Sequence, residues 1–167
     1  PFPTANLPPH PRPLRPKEKG RGETNVIYTI GTSTRTFDEF LALLQEHDIE
    51  DAVDVRSFPT SGRFPHFKRG ILTKNLESAG IHTTYLGKEL GGFRKGGYVA
   101  YMETDSFRKG LERLEEIGKG KRTAFFCSER FPWKCHRRWI AGRLAERGWQ
   151  IIHIIEKGRV WIPRKKN

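Results

Sequence analysis

Residues 123–141 read T-A-F-F-C-S-E-R-F-P-W-K-C-H-R-R-W-I-A. An apolar run, Ala124-Phe125-Phe126, opens the stretch. Both cysteines of the chain, a carboxylate, a histidine and several cations follow within a short turn. Trp139, Ile140, Arg143, Leu144 and Arg147 then recur at helical spacing. This order predicts a buried strand, a chemically dense turn and a helix. Cys127 and Glu129 fall just past the carboxyl end of the strand, with Cys135, His136 and Arg137 near the start of the helix. Ligands of open α/β sheets bind outside the carboxyl ends of the strands. The turn is therefore the candidate site, and the rest of the chain is expected to face it.

Upstream, residues 26–30 read as a short apolar strand ended by Gly31. Thr36 and Glu39 have capping-box spacing, and Phe37, Phe40, Leu41, Leu43 and Leu44 give an amphipathic helix after them. A second strand, 49–55, ends in D-V-R. A short helix over 70–79, with Gly80 as its cap, leads to a third strand over 82–86. Residues 106–118 form an amphipathic helix with Phe107, Leu111, Leu114 and Ile117 on one face. Downstream, a fifth strand over 149–155 and a sixth over 159–162 are joined by a Lys157-Gly158 hairpin turn. Strands alternating with helices predict a single α/β domain. Its sheet is mainly parallel and covered on both faces (Rossmann-like), with the last hairpin as an antiparallel edge. The domain spans 26–163. A Pro-rich basic arm over 1–25, with seven of the eleven prolines, precedes it, and a basic tail over 164–167 follows.

The 31 lysines and arginines exceed the 19 acidic residues, a net charge of +12. This excess points to a polyanionic partner, nucleic acid and most simply DNA. Two cysteines make no disulfide framework and suit a reducing cytoplasm. No run is long enough for a membrane span, and no signal pattern opens the sequence, so a cytoplasmic monomer without membrane association is expected.

Several segments carry side chains suited to such a partner. The strand–Gly-Thr32-Ser33–helix connection suits an anion at a helix start, and a plain N-cap turn would look the same. The loop over 57–69 interleaves Phe58, Phe64 and Phe67 with Arg63, His66, Lys68 and Arg69, as stacked bases between neutralised phosphates would require. In G-K-E-L-G-G-F-R-K-G-G, Gly91 and Gly92 permit close backbone approach. Its spacing fits neither a Walker A nor a dinucleotide fingerprint, and no cofactor is expected. Tyr98 and Tyr101 suit either the core or the wall of a base-sized pocket. Arg35, Lys68, Arg69, Arg94, Lys95, Lys134 and Arg138 are the candidate contacts to a nucleic-acid backbone.

The chain resembles the domain of unknown function 488 family. The matching residues are T-I-G-T-S (29–33), D-V-R-x-x-P-x-S (54–61), L-G-x-x-L-G-G (86–92), Y-x-A-Y-M (98–102) and C-S-E-x-x-P-x-x-C-H-R (127–137) followed by I-A (140–141). They span about 27–155 in order. One departure is Thr32, where members often carry histidine. The resemblance implies one small α/β domain and brings no reaction with it.

Three chemistries compete for these residues. A structural zinc site usually has paired Cys-x2–4-Cys spacings; Cys127-x7-Cys135-His136 lacks them, and no metal is expected. Thiol catalysis through a phosphatase-type Cys-x5-Arg loop fails because Trp133 occupies the arginine position. Hydrolysis directed by carboxylates remains. Asp54 and Glu129 leave separate strands towards one rim, where Arg56 and Arg137 hold phosphates and Thr32, Ser33, Arg63, Phe64, His66, Tyr98, Tyr101, Cys127, Cys135 and His136 contact substrate. This suits a DNA N-glycosylase of base-excision repair acting on a flipped-out base. The alternatives are a metal-dependent nuclease using the same carboxylates and a non-catalytic nucleic-acid or anion-binding module.

Overall fold

The computed structural model describes residues 25–59 and 62–164. Most of the Pro-rich arm, Ser61 of the D-V-R-x-x-P-x-S motif and residues 165–167 of the tail lie outside the described residues. Six strands, β1 (Asn25–Gly31), β2 (Asp51–Asp54), β3 (His82–Tyr85), β4 (Thr123–Cys127), β5 (Trp149–Glu156) and β6 (Arg159–Trp161), form one sheet in the order β3-β2-β4-β1-β5-β6. All neighbours are parallel except β5 and β6. The hairpin between those two turns at Gly158, whose φ of 71° is where glycine is at ease. The fold is thus the α/β domain, with an antiparallel carboxyl-terminal hairpin, that the alternation of strands and helices predicts.

Helices cover both faces because the central strands are apolar on both sides. α1 (Phe37–Glu46) and α2 (Arg69–Ser78) pack Phe40, Leu43, Leu44, Leu72 and Leu76 against Tyr28, Ile30, Ala52, Ala124 and Phe126. α5 (Asp105–Gly120) and α6 (Arg137–Glu146) pack Phe107, Leu111, Leu114, Ile140 and Leu144 against Ile27, Val53, Phe125 and Ile151 on the other. The alternation of Ile27 with Tyr28 and of Phe125 with Phe126 sends successive side chains into opposite layers. α1 starts at a capping box, in which Thr36 accepts from the Glu39 amide and Glu39 accepts from the Thr36 amide, each at 3.1 Å.

Two short helices are not expected from the sequence: α3 (Gly87–Leu90) opens what it reads as a glycine-rich loop, and α4 (Tyr98–Tyr101) follows directly after that loop. At four residues each, they are too short to show a helical period. A side chain at Gly87 would meet the Arg56 carbonyl oxygen at 2.0 Å, so the glycine lets α3 press onto the end of β2.

The strand order selects one end of the sheet for chemistry. The chain leaves β1 and β2 towards the α1–α2 face, whereas it leaves β4, which lies between them, towards the α6 face. Connections that part in opposite directions open a crevice at the carboxyl ends of the strands. The turn after β4 fills that crevice.

Candidate active site at the end of the fourth strand

A buried arginine holds the turn in shape. The side chain of Arg137 is 0 % exposed and, among the described residues, has no carboxylate partner. Its Nε lies 3.0 Å from Cys127 Sγ and 3.3 Å from Cys135 Sγ, Nη1 donates to Thr29 Oγ1 at 3.1 Å, and Nη2 donates to the carbonyls of Glu129 (2.5 Å) and Arg130 (3.2 Å). The planar fork thus ties β1, the end of β4 and the turn to the start of α6. The backbone adds two clips, Thr32 N–H to the Cys127 carbonyl at 2.8 Å and Ser33 N–H to the Ser128 carbonyl at 2.9 Å. Only a glycine fits at 31, because a Cβ there would sit 1.9 Å from the Glu129 carbonyl oxygen.

Above this scaffold opens a pocket of about 620 Å³. The end of β2 contributes Arg56, Ser57 and Phe58; the segment before α4 contributes Gly92, Phe93, Arg94 and Gly97, with Tyr98 from α4; the turn contributes Cys127, Ser128, Glu129, Trp133, Lys134, Cys135 and His136, and α6 adds Arg138 and Trp139. Phe93 and Phe58 are 89 % and 72 % exposed with ring centroids 5.8 Å apart, forming an aromatic lip. Glu129 is exposed and is the one carboxylate among the lining residues.

His136 has a defined tautomer. Nε2 donates to the Val55 carbonyl at 2.8 Å, which leaves Nδ1 as the acceptor nitrogen of the neutral ring. Burial lowers its pKa, the Val55 hydrogen bond opposing this, so the ring stays neutral at physiological pH. Gly92 gives that nitrogen room, since a Cβ there would lie 3.1 Å from Nδ1. Tyr98 packs on the imidazole at 5.5 Å between centroids and spends its hydroxyl on the Leu90 carbonyl. Burial raises its pKa.

The thiols divide their proton unequally. Their sulfurs are 3.2 Å apart. Burial pushes the Cys127 thiol well up. Its hydrogen bond, with the nearby Arg137 guanidinium opposing burial, draws Cys135 down to about 6. Of the two thiols, Cys135 is thus the more readily ionised, and the Arg137 guanidinium lies against both sulfurs.

The structure brings together Arg56, Gly92, Tyr98, Cys127, Glu129, Cys135, His136, Arg94, Lys134 and Arg138 from the sequence-derived candidates. Others it sends elsewhere. Asp54 is clamped by Arg56 through Nε–Oδ1 and Nη2–Oδ2 contacts of 2.9 Å and lines a separate cavity of about 160 Å³ beside Arg69 and Tyr85. Arg56 gives its remaining nitrogen to the Phe67 carbonyl at 2.7 Å, so it is engaged within the fold rather than held out for a phosphate. Arg35, expected at a nucleic-acid backbone, is buried and donates to the Gly31 and Ile155 carbonyls at 3.1 and 2.6 Å. Arg137, expected against substrate, lies beneath the pocket. Thr32 and Ser33 act through backbone clips.

The loop over 57–69 turns back onto the α1–α2 face. His66 Nε2 meets the Arg35 carbonyl at 2.8 Å, Phe64 packs against the core, and Arg63 lies over the Phe64 ring at 5.6 Å. Of this loop, Ser57 and Phe58 reach the pocket. Arg69 covers the Tyr85 ring at 3.9 Å, Lys68 is exposed at the start of α2, and Lys95 is exposed. Gly91 abuts Ser57 and α3. Tyr101 is capped by Arg94 at 3.8 Å and bonds the Glu89 carbonyl. Phe93, Trp133 and Trp139 join the lining without having been site candidates in the sequence, where Trp139 counts toward the helical pattern and Trp133 against a phosphatase loop. The signal for Phe93 is its place directly after Gly91-Gly92, where a large apolar residue has nothing to pack on.

A second buried histidine gives the site an acid sensitivity. His153 is 1 % exposed, bonds Thr29 Oγ1 and stacks on Trp161 at 5.2 Å. Burial, reinforced by Arg137, holds its pKa down at about 3. Below pH ~6.5 the unfolded chain takes up a proton here that the folded chain refuses, so stability falls as pH falls. We expect about 2 kcal/mol lost from this ring between pH ~7 and pH ~5. His47 and His136, also lowered by burial, act in the same direction. Urea denaturation at the two pH values measures the sum, and His153→Gln should flatten it. A pH-independent midpoint would mean that the native state accommodates the imidazolium.

Among the described residues no helix is long and apolar enough to cross a membrane, and no group of three or more His, Cys, Asp or Glu side chains converges on a metal-sized site. Comparisons with curated proteins and with solved structures find no match. The model of the domain of unknown function DUF488 matches residues 36–144, from the cap of α1 through the Cys-Ser-Glu turn to Leu144 of α6, and the chain belongs to the DUF488 family.

Proposed function

We propose that the pocket receives a nucleobase turned out of a DNA strand and that the protein hydrolyses the bond between that base and its sugar. What carries this reading is one exposed carboxylate, Glu129, in a pocket of base-accepting size, between aromatic walls and a cationic rim. About 620 Å³ lies in the ordinary range for small-molecule sites, roughly 300–1,000 Å³. Tyr98, Phe93 and Trp133 offer faces on which a base stacks. Lys134 and Arg138 are exposed on the lining, where flanking phosphates would pass, while Arg94 adds charge to the rim with its nitrogens on the Gly91 and Lys88 carbonyls; the net charge of +12 favours that approach. Glu129 orients water or stabilises the cationic sugar of the transition state. The acceptor nitrogen of His136 is a second base on the same lining.

The nuclease alternative has less support. It needs a second carboxylate beside Glu129, and Asp54 is paired with Arg56 and faces a different cavity. A non-catalytic nucleic-acid binder would share the aromatic walls and cationic rim, with no role for Glu129.

The test uses labelled oligonucleotides carrying uracil, mismatches, or oxidised or alkylated bases, incubated in EDTA or in magnesium, with and without alkali. Strand breaks in EDTA that appear only after alkali are the expected result, since base removal leaves an alkali-labile sugar. Breaks that require metal and no alkali would point to a nuclease. Binding that weakens with salt, by about 0.9 log units per log unit of salt for each phosphate neutralised, without cleavage of any substrate would point to a binding module.

A further inference from the structure

We infer that Cys127 and Cys135 form a built site of reversible oxidation, a dithiol that a hydroperoxide converts to an intramolecular disulfide. The inference is independent of the base-accepting reading of the pocket. Four observations carry it. The sulfurs are already in contact at 3.2 Å, and a disulfide needs about 2.05 Å. Both thiols line the open pocket, so a small oxidant reaches them without unfolding. Their exposures differ, with Cys135 partly open and Cys127 only 3 % exposed, which separates an attacking sulfur from a resolving one. The Arg137 Nε–H points at both sulfurs, and the Arg137 backbone N–H lies 3.4 Å from Cys135, so the thiolate has fixed donors.

The chemistry balances with the peroxide as sole oxidant. The Cys135 thiolate attacks one peroxide oxygen, the O–O bond breaks, and hydroxide leaves, giving Cys135 sulfenic acid. The Cys127 thiol then displaces the sulfenic hydroxyl, forming the S–S bond and releasing water. Two electrons leave the thiol pair and reduce the peroxide, and the Cys127 proton departs in the second water. A dithiol reductant reverses the change. Cys135 alone, without its neighbour, would stop at the sulfenic acid and then overoxidise.

The loop closed by this bond carries Glu129, Trp133 and Lys134, all of which line the pocket. Oxidation also changes the two sulfur acceptors that face the Arg137 guanidinium. The redox state of the pair is thereby coupled to the shape and charge of the pocket.

The experiment treats the reduced full chain with hydrogen peroxide, blocks remaining thiols with N-ethylmaleimide, and maps the peptides. The expected result is that both cysteines escape the maleimide together, a linked peptide joins positions 127 and 135, and dithiothreitol restores both thiols. In Cys127→Ser the peroxide should stop at Cys135, where dimedone traps the sulfenic acid. The proposal is overturned if both wild-type thiols remain free under peroxide that oxidises glutathione in the same tube. Links only between chains, or Cys127 as the dimedone-labelled residue, would overturn it equally. The wild-type peptide map alone decides the matter if the serine variant does not fold.

Discussion

Arg137→Ala is expected to cost the domain about 3–5 kcal/mol, a large share of the roughly 5–15 kcal/mol that holds a typical domain together. The side chain is fully buried, so its removal leaves a cavity as well as orphaned acceptors. The Glu129 and Arg130 carbonyls lose their donor, Thr29 Oγ1 loses its own, and both sulfurs lose the Arg137 Nε–H. Hydrogen bonds to charged groups contribute about 1.5–3 kcal/mol each in favourable cases, though such figures do not add. Arg137→Lys keeps the charge but not the fork, and should recover only part of the loss. Urea denaturation at neutral pH reads both variants. A loss below about 1 kcal/mol for Arg137→Ala would show that water replaces the guanidinium at little cost. In Arg137→Ala, Cys135 should also titrate at a higher pH, which alkylation rates would report independently of stability.

On the proposed base-releasing activity, Glu129→Gln should leave the fold intact and cut turnover sharply. Among the described residues its carboxylate has no hydrogen-bond partner, and its backbone carbonyl, which Arg137 holds, is unaffected by the change. Stability is therefore expected to move by less than about 0.5 kcal/mol. A positioned general acid or base contributes about 10²–10⁴-fold to a rate, and a loss of that size is expected in single-turnover base release. Affinity for the oligonucleotide should hold or tighten on the same reading, because the change removes a negative charge from the pocket lining. Asp54→Asn serves as the contrast. It weakens the buried Arg56 pair and so lowers stability, while the remaining folded fraction turns over normally. A Glu129→Gln variant that keeps its rate, or an Asp54→Asn variant that is stable but dead, would move the chemistry away from the turn.

Much of the architecture is legible in the sequence because the signals for it are local. Capping at Thr36 and Glu39, the apolar run into Cys127, and glycine at 80 and 158 each determine a short segment through its own backbone and side chains. The strand order is not local in this way, and neither are the short helices α3 and α4. The cationic residues show the sharpest divide. Arg35, Arg56 and Arg137 look in the sequence like the exposed Lys134 and Arg138, yet they are spent on carbonyls, a carboxylate and two sulfurs inside the fold. Composition counts charges without saying which of them faces water. The Asp54–Arg56 pair was half legible: Asp54 ends β2 and Arg56 lies two residues on, close enough to pair, and the two face one another's charge rather than a substrate.

The placement of β4 also bears on how the chain is made. β1 and β2 are consecutive in the chain, yet β4 lies between them, pairing Tyr28 with Ala124 and Ala52 with Ala124. Until residues 123–127 are made, β1 and β2 lack the strand that pairs with both of them, and their facing backbone donors and acceptors are unmatched. That strand is the fourth of the six described strands in chain order. Contacts of such long sequence separation slow folding and prolong the exposure of apolar edges. The same strand that brings the reactive turn to the crevice is thus the keystone of assembly, and until it is inserted neither the sheet nor the pocket exists.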